Sequence, residues 1–71
     1  MKSTSDIRSI IRDGANIKLS SSKSTSDLRA IVREAKTANT HVTISGASNK
    51  STSDLRAIAR EYQGGVTLEL D

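Results

Sequence analysis

One phrase, Lys-Ser-Thr-Ser-Asp-(Leu/Ile)-Arg, occurs three times, beginning at Lys2, Lys23 and Lys50. Each copy runs through a helix-like pattern into a short stretch of alternating polar and apolar residues. A chain of 71 residues that repeats one such unit three times has little room for anything else. A unit of this size cannot bury its apolar face alone, so each must stack on a neighbour. The repeats fall at about 2–22, 23–49 and 50–71, and together they form a single domain.

In the second copy Leu28, Ile31, Val32 and Ala35 fall at i, i+3, i+4 and i+7, one stripe of an α-helix. Leu55, Ile58, Ala59 and Tyr62 make the same stripe in the third copy, and Ile7, Ile10 and Ile11 in the first. Ser3/Asp6, Ser24/Asp27 and Ser51/Asp54 have capping-box spacing. The hydroxyl accepts from a free N–H of the first turn, while the carboxylate reaches back and faces the positive helix end. Gly14 and the pair Gly64-Gly65 suit helix stops, and Asn39 takes that place in the second copy.

Strict alternation follows each helix: Ile17 and Leu19 around Lys18, Val42 and Ile44 around Thr43, and Val66, Leu68 and Leu70 around Thr67 and Glu69. Period two marks strands with one apolar face. Helices between successive strands imply parallel pairing through right-handed crossovers. With one apolar strand face, all helices belong on that side. The expected fold is an α/β, three-repeat, right-handed helix–strand solenoid with a three-stranded parallel sheet in order 1-2-3.

Composition removes the usual reinforcements of a small domain. There is no cysteine, one histidine (His41) and one aromatic residue (Tyr62), so no disulfide or thiolate metal site forms and the core is aliphatic. At this size such a core is marginal, and association is the simplest remedy. No apolar run approaches the ~20 residues of a membrane span, and the first residues lack the apolar stretch of a signal peptide. A soluble, cytoplasmic chain is expected. His41 has no partner histidine or cysteine, and no serine or threonine has an activating base nearby in sequence. No catalytic residue, metal or cofactor is therefore assigned, and an enzyme is not expected.

The stretches Ser51 to Ala59 and Val66 to Leu68, with Ser24 to Val32 nearly identical to the first of them, resemble small bacterial helix–strand repeat proteins. These are leucine-rich-repeat-like solenoids built from Ser-x-x-Asp-Leu-x-x-Ile-Ala helices and Val-Thr-Leu strands. The resemblance covers most of the chain and concerns packing, so it implies the fold and carries no functional residue.

A helical wheel at about 100° per residue separates the charges. Arg29, Arg33 and Lys36 fall on one flank of the second helix, with Asp27 and Glu34 on the other. The partition recurs with Arg8 and Arg12 against Asp6 and Asp13, and with Arg56 and Arg60 against Asp54 and Glu61. Right-handed crossovers direct the arginine flank toward the following repeat. Arg8/Arg12 should then face Asp27/Glu34, and Arg29/Arg33 should face Asp54/Glu61. Asp6 and Asp13 would be left over at one end, and Arg56 and Arg60 at the other.

These leftovers define the leading candidate site: an assembly interface of Asp6, Asp13, Ile17 and Leu19 at the first repeat, and Arg56, Arg60, Val66, Leu68 and Leu70 at the third. Both outer strands lack proline and a capping repeat. The expected partner is a second copy of the chain joined head to tail, as a ring or filament, or failing that another protein. The rival is an anion or nucleic-acid site at Lys2, Lys23, Lys50, Ser24 and Ser51, including a small inhibitor of a nucleic-acid-handling machine. The net charge of +3 and pI near 9.7 favour it only weakly. The aspartates already occupy the helix N-termini, and no glycine-rich phosphate loop or aromatic stacking platform is present. The near-verbatim Lys23–Ile31 and Lys50–Ile58 also fit recent duplication or design.

Overall fold

A computed structural model describes all of the chain, Met1–Asp71. Its elements are α1 (Thr4–Arg12), β1 (Ile17–Ser20), α2 (Thr25–Ala38), β2 (Val42–Ser45), a 3₁₀ turn (Ala47–Asn49), α3 (Thr52–Arg60) and β3 (Val66–Leu68). The three strands form one parallel sheet in the order β1-β2-β3. Ile17, Val42 and Val66 share one level of the ladder, as do Lys18, Thr43 and Thr67, and Leu19, Ile44 and Leu68. The fold is α/β, as the alternation of the two periods requires.

The serines start the helices as expected. Ser3 accepts from the Asp6 N–H at 3.1 Å, Ser24 from Asp27 at 3.2 Å and Ser51 from Asp54 at 3.2 Å. Each satisfies one otherwise orphaned donor of a first turn. The other half of the capping box does not form, because no aspartate carboxylate bonds back to its serine N–H. Asp6, Asp27 and Asp54 act instead as charges at the positive helix ends.

Helix lengths follow the stop signals. α1 has 9 residues and is closed by Asp13 before Gly14, whose φ is 99°. α2 runs on to 14 residues and ends at Asn39, held in the left-handed region at φ 58°, ψ 43°. At α3 the expectation needs correction. The helix ends at Arg60, capped by Glu61, so Tyr62 lies beyond it. Tyr62 donates back three residues to the Ala59 carbonyl, and its own carbonyl accepts from the Gly65 N–H at 3.1 Å. This tight turn leaves the helix stripe before Tyr62 is reached. Gly65 is no helix stop either: it is buried, and its carbonyl accepts from Val42 N–H at 3.1 Å, extending the ladder.

The core is one cluster of 11 buried residues, all aliphatic. α1 gives Ile7 and Ile11; α2 gives Leu28, Ile31, Val32 and Ala35; α3 gives Ile58; and the strands give Leu19, Val42 and Ile44. Ala47 completes it from the 3₁₀ turn, an element that the periodicity of the sequence did not suggest. α1 packs against α2 and α2 against α3. Buried Ser21 donates its hydroxyl to the Gly46 carbonyl at 2.7 Å, tying the end of β1 to the turn after β2. The alternate strand positions are polar. Across them Lys18 meets Glu69 at 3.3 Å, and His41 Nε2 meets the Thr67 hydroxyl at 2.7 Å.

Candidate assembly interface

The seams between repeats show what an end lacks. At the first seam Glu34 of α2 takes both arginines of α1, Arg8 Nε at 3.1 Å and Arg12 Nε at 3.3 Å. At the second, Glu61 takes Arg29 at 2.7 Å and Arg33 at 3.8 Å. The glutamates are mostly covered, with side chains 11% and 17% exposed, whereas the arginines are 43–57% exposed. The arginine flanks of α1 and α2 therefore each meet the next helix in the chain. One expectation fails: Asp27 and Asp54 pair with no arginine. They sit in the first turns, whereas Glu34 and Glu61 lie toward the C-terminal ends of their helices, where an i, i+4 arginine pair converges on a single carboxylate.

Burial follows the same alternation. Aligning the repeats on their common phrase makes Ile10, Ile31 and Ile58 equivalent, likewise Ile7, Leu28 and Leu55, and likewise Ile11, Val32 and Ala59. Ile31 and Ile58 are 0% exposed, but Ile10, in the first of the three repeats, is 39% exposed. Ile7, Leu28, Ile11 and Val32 are buried, but Leu55 and Ala59, in the last of the three repeats, are only partly so. Exposure thus singles out one flank of α1 and the opposite flank of α3.

At the third repeat these uncovered residues form a groove of about 460 Å³. Leu55 and Ala59 of α3 make one wall, Leu68 and the following Leu70 the other, and Lys50 and Arg56 stand among its lining residues. Leu70 lies past the end of β3 and is 60% exposed. Arg56 and Arg60 are exposed and make no ion pair, and neither do Asp6 and Asp13 at the opposite end.

The outer strands complete the site. In a parallel ladder successive residues turn their N–H and C=O groups to opposite neighbours. Ile17 and Ser21 donate to β2, at His41 O (3.0 Å) and Ser45 O (2.9 Å), so Lys18 and Ser20 present the free groups of β1. Gly65 and Glu69 are engaged with β2, so Val66 and Leu68 present those of β3. Ile17 and Leu19 therefore offer no backbone group to a docking strand, and the Leu19 side chain is already in the core. Sequence reasoning missed Ile10, Leu55 and Ala59, although their equivalence to inner residues was available from the alignment of repeats.

The rival anion site is largely committed to internal contacts. Ser24 and Ser51 serve as helix caps, and Lys50 Nζ donates to the Lys23 carbonyl at 2.8 Å. Lys2 is exposed. His41 lies at the entry of β2, where its N–H donates to Asn16 Oδ1 at 2.8 Å. No helix is long and apolar enough to cross a membrane. No protein-family model matches this chain, and neither does any curated protein or solved structure.

Proposed function

We propose that this chain is a self-association module: a short right-handed solenoid, its helices all on the apolar face of the sheet, that joins head to tail through its open ends. The observation that carries this reading is the burial difference between equivalent positions. Ile10 is exposed where Ile31 and Ile58 are fully covered, and Leu55 and Ala59 are part-open where Leu28 and Val32 are closed. What covers the inner positions is another repeat of the same design. The direction of the ion pairs, arginine to the following glutamate, agrees with right-handed crossovers. Two different patches that complement one another make a heterologous contact, which closes as a ring or continues as a filament.

Replacing Arg56 and Arg60 together by glutamate tests the reading. Size-exclusion chromatography should show smaller species than wild type at equal concentration, with helix content unchanged because neither arginine is paired within the chain. An unchanged elution profile would count against association through this end. The rival, a nucleic-acid or anion binder, predicts a salt-steep gel shift lost on changing Lys23 and Lys50; the Lys50 contact with the Lys23 carbonyl speaks against it.

A further inference from the structure

Resting on that reading, we infer which atoms of one copy meet which of the next: Ile10 of the incoming α1 enters the groove at Leu55 and Ala59, and Asp13 settles between Arg56 and Arg60. The inner seams supply the template. On α2, Ile31 and Glu34 lie three residues apart on the flank that meets α1. Glu34 there bridges Arg8 and Arg12, which immediately follow the buried Ile7 and Ile11. The second seam repeats the set with Ile58 and Glu61 against Leu28, Val32, Arg29 and Arg33. At the open ends the corresponding members are Ile10 and Asp13 against Leu55, Ala59, Arg56 and Arg60. All are at least partly exposed, and none is claimed by an internal ion pair.

The template also removes Asp6 from the contact. Its equivalents Asp27 and Asp54 make no ion pair at either inner seam, so Asp6 has no role there beyond its helix end. Continued sheet register would place Ile17 of the incoming copy beside Val66, and Leu19 beside Leu68, as the inner levels are arranged. Ala59 is smaller than its equivalents Ile11 and Val32, and Asp13 is also an imperfect member. Asp13 is a methylene shorter than Glu34 and Glu61, which makes the joint between copies weaker than the seams within one.

The absence of cysteine makes the pairing directly testable. Ile10→Cys and Ala59→Cys variants, prepared separately and mixed under mild oxidation, should cross-link to each other far more than either does to itself. Independently, Asp13→Glu should tighten association by roughly two- to fivefold, the scale of an exposed ion pair, while Asp6→Glu should not. If the protein associates but the cysteines link Ile10 to Ile10, or Asp13→Glu has no effect, this pairing is overturned and head-to-tail association by another register or symmetry remains. If the wild type never associates, the pairing and the reading beneath it both fail.

Discussion

The two inner seams and the two open ends are built from equivalent positions of the repeat in the same order, yet they differ in what the residues touch. Inside, each isoleucine of the Ile31 type is fully buried and each glutamate of the Glu34 type holds two arginines. Outside, Ile10 is 39% exposed and Arg56 and Arg60 pair with no carboxylate. Position in the repeat therefore does not set the energetic role of a side chain; the presence of a neighbouring repeat does. The proposed solenoid reading expects this, because in such arrays stability is carried by nearest-neighbour contacts.

The sharpest way to break the comparison is to truncate equivalent isoleucines. Ile31→Ala opens a fully enclosed site and should cost about 2–5 kcal/mol, read as a lower denaturation midpoint. Ile10→Ala should leave the isolated chain within about 1 kcal/mol of wild type and should instead weaken association. Equal losses at the two sites would erase the distinction between seam and end. Next in size are the carboxylates. Glu34→Gln strips two arginines of their shared partner and should cost on the order of 1 kcal/mol, since Glu34 is mostly covered. Asp13→Asn should cost the monomer almost nothing in the same melt. Smallest is Lys18→Ala. It removes the exposed Lys18–Glu69 pair and should shift stability by less than about 0.5 kcal/mol in chemical denaturation; a larger loss would mean the polar strand face contributes more than the seams suggest.

Much of this is legible in the sequence. The threefold phrase gave the repeats, the serine spacing gave the helix starts, and period two gave the parallel strands in sequential order. The wheel gave the side on which Arg8 and Arg12 meet Glu34. What it could not give was depth along the helix. Asp27 and Glu34 share a flank on the wheel, but only Glu34 sits where two arginines converge. The turn after α3 was hidden because Tyr62 keeps helical spacing while Gly64, at φ 81°, allows the chain to fold back early. The 3₁₀ turn that buries Ala47 is too short to have a period. Ile10 was overlooked for a different reason: an apolar residue in a helical stripe reads as core, and its place in the first repeat, available from the alignment, has to be weighed as well.

The central claim, that one end of a copy satisfies the opposite end of the next, is tested most directly by sedimentation equilibrium across protein concentration and salt. The account predicts a weight-average mass that climbs above the 7.6 kDa chain as concentration rises and falls back as salt screens the Asp13 and Arg56/Arg60 contacts. A mass fixed at one chain, at high concentration and low ionic strength, would contradict it.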